Sequence, residues 1–335
     1  MKQGDGGGCF TSEAAPPSPY FIPCFTHKEV EILVGRRNRR MIVLFMIPPL
    51  FFYLMVFIYP VFRTFAMSFF AVEAIEQPVS EWSFIGLRNY MGLFGIDLFN
   101  RSVTNYLTLW FVGGIAVLLL GMTYAVILTS GVRLKKFFRA IIYIPNVISA
   151  IALGTMWINY VFRDGDGLFD RIAALFGLET PVMWTGPYMG FWSLLIAYCF
   201  GMVGYIMLTF ISGIEKISDE YYECAAIEGA NVFHKFFYIT LPLIRGVIRS
   251  NIVIWTVSLG TGVFAWSFMF SPNNLTLPFT MPPNYMREII FGGRGSAVIQ
   301  RDSGAAAAVG ILIALLVVVI SLLSGLITRK DDVEM

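Results

Sequence analysis

Few residues in this chain could do chemistry, and most of them lack the spacing that chemistry requires. A phosphate-cradling loop needs Gly-x-x-x-x-Gly-Lys followed by Ser or Thr, and a zinc pair on one helix face needs His-Glu-x-x-His. Neither pattern occurs. The two histidines are His27 and His234, which argues against a histidine-based metal site. Cys9, Cys24, Cys199 and Cys224 are scattered, without metal or disulfide spacing. Asp164-Gly165-Asp166-Gly167 with Asp170 begins like a calcium loop, but the twelfth position, which should supply a bidentate glutamate, is Leu175. A solvated turn suits those Asp and Gly residues better. The long apolar stretches carry no Asp, Glu or Lys, which removes intramembrane aspartyl proteases and proton relays. A Thr-Val-Gly-Tyr-Gly ion filter is also missing.

Two groups of residues remain. The first is the segment 218–242. Ser218 followed by Asp219 and Glu220 reads as a helix start, with acidic groups at the positive end of the helix dipole. Glu223, Cys224, Ala225 and Ala226 form a narrow face that another protein could approach closely, and Gly229 permits a bend. A second amphipathic turn carries Val232, Phe233, Phe236, Phe237 and Ile239, and Pro242 suits the first turn of the next span. The second group is aromatic and polar. Tyr198 and Tyr205 are seven residues apart and share a helix face. With Trp255, Thr256 and Ser258 they could line a path for a sugar, which is bound by ring stacking and hydrogen bonds. The competing role for all five is helix packing or interfacial anchoring.

The elements that position these groups follow from composition. Hydrophobic residues make up 57% of the 335 residues and charged residues 14%, where a soluble domain carries about 25% charged. Lipid is therefore the expected solvent, and a net charge of +2 gives no reason to expect nucleic acid. Six charge-free stretches reach the roughly 20 residues that a spanning helix needs: 41–60, 102–132, 140–162, 181–214, 250–286 and 303–328. No alternating ten-residue segments suggest a barrel, so the predicted fold is all-α, with six transmembrane helices. The polar residues from Ser271 to Leu275 and the pair Pro282-Pro283 read as the exit from the fifth span. Placing both termini in the cytoplasm puts sixteen of the 24 Lys and Arg residues there, including the runs at 36–40 and 133–139 that abut spans. Those runs read as topology determinants that meet anionic lipid. The first apolar run starts at Met41 and reads as an anchor rather than a cleaved signal.

At 218–242 the chain resembles the binding-protein-dependent ABC importer permeases. Glu223, Ala225, Gly229, Ile239, Leu241 and Pro242 match their E-A-A, later G, then I-x-L-P signature, with Cys224 in place of the first alanine and Glu228 where aspartate is usual. Phe84-Ile85-Gly86-Leu87-Arg88-Asn89-Tyr90 is similar to an F-V-G-L-x-N-Y motif of the maltose and glycerol-phosphate branch. Arg139 with Pro145, and Trp157, also match that branch, whereas Ser271-Pro272-Asn273-Asn274 stands where a T-x-G-G-P stretch is common.

The resemblance implies an ABC type-1 importer permease fold, working with two ABC ATPase subunits, a second permease subunit of different sequence, an external solute-binding protein and membrane lipid. It implies that this chain binds no cofactor and is not an enzyme, ATP being used by the partner ATPase. Glu223, Cys224, Ala225, Gly229, Ala230, Ile239, Leu241 and Pro242 would form the segment that couples to the ATPase, and Tyr205 matches a substrate-lining position. The implied organisation is a cytoplasmic tail (1–40), a first span and external loop (41–103), a transmembrane core (104–328) containing the coupling segment (218–242), and a second tail (329–335). The expected function is import of a carbohydrate or related solute. A polyamine or phosphate ester as cargo, or a membrane enzyme acting on lipid, or an ungated channel, are the alternatives.

Overall fold

The computed structural model describes residues 36–177, 182–271, 276–292 and 301–327. Residues 1–35 of the predicted N-terminal tail, with Cys9 and Cys24, and the predicted tail 329–335, with Arg329 and Lys330, lie outside the described residues, as do residues 272–275 and 293–300. The chain divides into two compact units, one ending at Val61 and one beginning at Phe62. The described part of the first unit is helix, in which the basic turn 36–40 leads into the apolar α1 (Met41–Met67), and α1 has a widened turn at Leu54–Ile58. That turn lies just before Pro60, whose ring would clash with the carbonyl of Val56 in a regular helix.

In the second unit a short hairpin, β1 (Phe70–Ala71) and β2 (Ser83–Phe84), precedes α2 (Arg88–Phe94). Then follow α3 (Asp97–Thr129), α4 (Lys135–Val147), α5 (Ala150–Val161), α6 (Leu168–Leu175) and α7 (Gly190–Ile214). The connection α8 (Asp219–Ile227) and α9 (232–243) leads to α10 (Arg245–Phe270), α11 (Pro282–Phe291) and α12 (Ser303–Ile327). Helices α1, α3, α7, α10 and α12 are each long and apolar enough to span a membrane. The predicted third span is not one rod. It is α4 and α5, bent by 99° at residues 148–149, and counting the pair as one span gives the expected six. Ile148 has extended backbone angles, and Ser149 caps α5 by accepting a hydrogen bond from the Ala152 amide at 3.2 Å.

Helix α7 is the centre of the core. It packs on α3, α4 and α10, and most of its side chains are buried. Small residues allow these approaches, as expected where lipid gives no hydrophobic drive for association between helices. At Gly204 a β-carbon would overlap the carbonyl oxygen of Ile142 in α4, so the two backbones are in contact there. The residues after α10 fold back onto the core. The Asn105 side-chain amide donates to the carbonyls of Leu277 (2.8 Å) and Thr280 (3.1 Å), and the Ser267 hydroxyl donates to the carbonyl of Phe279. Pro282-Pro283, read as part of a span exit, starts α11, where the missing amides do no harm.

Candidate functional site

The segment 218–242 is a helix–bend–helix closed by its own backbone. Ser218 has the extended angles of an N-cap, although its side chain makes no capping bond, and Asp219 and Glu220 occupy the first turn of α8. At the other end the Gly229 amide donates to Ala226 (3.1 Å) and the Ala230 amide to Ala225 (2.9 Å). This pair of bonds is a Schellman closure, which places the intervening residue in the left-handed region. Gly229 is there, with φ of +77°. No atom of the described residues lies within 4 Å of where its β-carbon would be, so the glycine serves the backbone turn and not a close approach among them. Asn231 then caps α9 by accepting from the His234 amide at 2.8 Å.

Inside α9 a widened turn at Phe236–Thr240 leads to Pro242. The Leu241 amide donates to Phe236, five residues back, relieving the clash of the Pro242 ring with the regular ladder. Pro242 thus lies in the last turn of α9, and the next span begins after a break at Ile244. The expected place, in the first turn of the span itself, is one short helix too late.

The two faces of this connection differ in what they meet. On the inner face the Tyr222 hydroxyl lies 2.9 Å from the Thr240 hydroxyl, and Ala225, Ala230, Phe236, Ile239 and Leu241 are half-buried. On the outer face Glu223 and Cys224 are exposed, together with Ile227 (85% exposed), Val232, Phe233 (74%), Phe237 and Tyr238. A cleft of 580 Å³ separates the connection from the ends of α3 and α7, with Thr129, Lys135, Glu215, Tyr222 and Lys235 among its walls. Beside it Arg139 of α4 pairs with Glu215 at 2.5 Å, tying the broken span to the end of α7. The sequence marked Arg139 but not its partner, because Glu215 lies 76 residues away with no local pattern to link them.

The aromatic group is arranged differently. Tyr198, Trp255 and Thr256 are buried at the junction of α3, α7 and α10. The Tyr198 hydroxyl donates to the Ser258 carbonyl (3.0 Å), and its ring centre lies 5.5 Å from that of Trp255. The Trp255 indole donates to the Trp110 carbonyl (2.9 Å), while the Trp110 indole donates to the Thr256 hydroxyl (3.0 Å). Thr256 in turn donates to Ile252 (2.8 Å). These polar atoms are engaged within the chain, and Trp110, which the sequence did not single out, joins them. Tyr205 stands about 10 Å further along α7 by helix rise. It is half-buried against the edge of the core, and Ser258 is half-buried too. Two further groups carry no signal in the sequence. The Tyr106 hydroxyl is buried, has no hydrogen-bond partner among the described residues, and lies close to Gly260 of α10. Asn251 accepts from the Thr209 hydroxyl at 2.5 Å while its own amide nitrogen has no hydrogen-bond partner among the described residues.

No catalytic group occupies either region. The Asp170 carboxylate of the calcium-like turn accepts from the Gly165 amide and from the Trp184 indole, both at 2.7 Å. What the molecule offers is an exposed apolar connection at one end of a helical membrane core.

Known proteins share both the sequence and the fold. Residues 117–330 match the family described as binding-protein-dependent transport system inner membrane component. The chain is 30% identical to the probable starch degradation products transport system permease protein of Thermoanaerobacterium thermosulfurigenes, covering 87% of this chain and 95% of the relative. It is 27% identical to the arabinooligosaccharides transport system permease protein of Halalkalibacterium halodurans, over 93% and 96% of the two chains. Among solved structures, a chain of a bacterial ABC transporter involved in import of the acidic polysaccharide alginate superposes with a TM-score of 0.74. It is 19% identical, over 90% of this chain and 99% of that one.

Proposed function

The chain belongs to the family of binding-protein-dependent transport system inner membrane components, and on that premise we propose that its segment 218–242 is the ATPase-coupling element of a carbohydrate importer. The protein is a multi-pass membrane permease and not itself an enzyme; it works with ABC ATPase subunits, a second permease and a solute-binding protein. The carbohydrate cargo is supported by relatives named for starch degradation products and for arabinooligosaccharides. The transmembrane core is 104–328, both termini face the cytoplasm, and the chain binds no cofactor, ATP being used by the partner subunits. The second permease is a chain of different sequence.

The observation that supports the coupling role is the exposure of Ile227, Val232, Phe233, Phe237 and Tyr238 on the connection between the spans α7 and α10. Such a patch marks a protein contact, and an apolar helix face seats well in a groove. Glu223, Cys224, Ala225, Gly229 and Ala230 shape the α8 side of this contact. Ile239, Leu241 and Pro242 carry its motion into α10 through the break at Ile244. In the membrane, Tyr205 and Ser258 line the path, and Tyr198, Trp255 and Thr256 hold the wall behind them.

The test is reconstitution with the ATPase, second permease and solute-binding protein in proteoliposomes. Loaded binding protein should stimulate hydrolysis several-fold and drive uptake of a labelled oligosaccharide. Uptake of a polyamine or a phosphate ester instead would overturn the cargo, and lack of ATPase association would overturn the coupling role. A reporter fused after Met335 should behave as cytoplasmic; an external reporter would overturn the orientation.

A further inference from the structure

The segment 84–94 has one face fixed to the protein and one face left mostly exposed among the described residues. Asn89 and Leu93 are buried. The Asn89 amide donates to the carbonyls of Ser68 (2.9 Å) and Phe70 (3.0 Å), and Leu93 packs with Phe99, Tyr285 and Val309. On the opposite side Leu87 (59% exposed), Met91 (69%) and Phe94 (60%) recur at the spacing of a single helical stripe. Phe84, on the preceding strand, is also exposed.

The depth of this face is set by its neighbours. Ser68, which holds Asn89, directly follows the last residue of α1. The Gly304 amide donates to Val72 (3.0 Å) and the Ser303 hydroxyl to Glu73 (3.2 Å), so the same loop is also bonded to the first turn of α12. A helix of 27 residues is about 40 Å long, against about 30 Å of hydrocarbon, so its ends emerge in the headgroup layer. Aromatic rings continue from α1 to α2, with Phe65 and Phe69 5.3 Å apart and Phe69 and Tyr90 5.9 Å apart. Arg88 is exposed on the same helix. Aromatic and apolar side chains beside a cation, at the depth where spans end, are the composition of an interfacial helix.

We propose that Phe84, Leu87, Met91 and Phe94 lie in the interfacial layer of the phospholipid bilayer and fix the depth at which the ends of α1 and α12 sit. Lipid suits this stripe because it meets an apolar face without a matching shape. The proposal rests on the membrane-spanning reading, not on the coupling role or the cargo.

The experiment uses the assembled transporter in phospholipid nanodiscs, with the four native cysteines replaced by alanine. A nitroxide is placed singly at residues 87, 91 and 94, and at Glu76 as a loop reference, and its collisions with oxygen and with a water-soluble nickel chelate are measured. Oxygen contact should exceed nickel contact several-fold at 87, 91 and 94 and fall below it at 76, with no change when loaded binding protein is added. Nickel contact dominating at all three, or a loss of contact on adding the binding protein, would place the face in water or on that protein. Low contact with both reagents at all three would place it against the second permease. Either result overturns the proposal, and three independent positions keep it testable if one variant fails to assemble.

Discussion

The connection α8–α9 and the junction of α3, α7 and α10 are both built from aromatic and small residues, and they use them in opposite ways. At the junction the Trp110 and Trp255 indoles and the Tyr198 and Thr256 hydroxyls are hydrogen-bonded within the chain, and the rings of Tyr198 and Trp255 are buried. In the connection the backbone is closed locally by Gly229 and Asn231, while Ile227, Phe233 and Tyr238 are exposed among the described residues. In a protein with no catalytic groups in either region, a partner surface is found by what folding leaves uncovered. A junction whose indoles and whose Tyr198 and Thr256 hydroxyls are already paired holds helices together, whatever else passes beside it.

Disturbing each region should therefore fail in a different way. The largest effect is expected at Gly204, where the new side chain meets the backbone of α4 rather than a side chain that can move. Gly204→Val should cost about 3 kcal/mol or more through overpacking, read as loss of folded, detergent-stable protein. Normal yield and melting temperature would mean that α4 and α7 are not in backbone contact.

Gly229→Val forces a β-branched residue to φ of +77°, a local cost of roughly 1–2 kcal/mol. Because none of the described residues lies near that position, the core should fold and insert normally while ATPase association and stimulated hydrolysis fall at least tenfold. Intact hydrolysis would reduce the segment to a connector and erase the contrast.

A smaller effect is predicted for Tyr205→Ala. Tyr205 is half-buried at the edge of the core, so assembly should survive while transport drops about tenfold, equivalent to about 1.4 kcal/mol of lost cargo interaction. A fall in folded protein with no selective transport defect would assign Tyr205 to packing, together with Tyr198.

The smallest effect should come from Thr256→Val, which keeps shape and removes the acceptor for the Trp110 indole. Interhelical hydrogen bonds in membranes contribute about 1 kcal/mol or less, so melting should fall by a few degrees with transport nearly unchanged. A transport loss as large as that of Tyr205→Ala would show that the junction touches cargo.

Much of this architecture is legible in the residues alone. The six apolar runs stand out because a spanning helix must be long and uncharged whatever it packs against. The bend at Gly229 stands out because a left-handed closure selects glycine through backbone sterics alone. The break at 148–149 does not, since Ile148 and Ser149 sit inside an unbroken apolar run and the signal, a capping serine, is common in such runs. The position of Pro242 relative to its span is hidden too. The proline shows that the regular ladder is interrupted, but not on which side the chain restarts.

The solvent, the number of spans and the signature at 218–242 are therefore properties of the linear chain, because they depend on transfer energies and on local backbone geometry. The inward-facing rings of Tyr198 and Trp255, the meeting of Arg139 with Glu215, and the uncovered stripe of Leu87, Met91 and Phe94 arise only on folding. The reason is physical: an apolar helix with lipid on one side and protein on the other shows the same hydrophobic sequence on both, so its faces are told apart by packing and not by polarity.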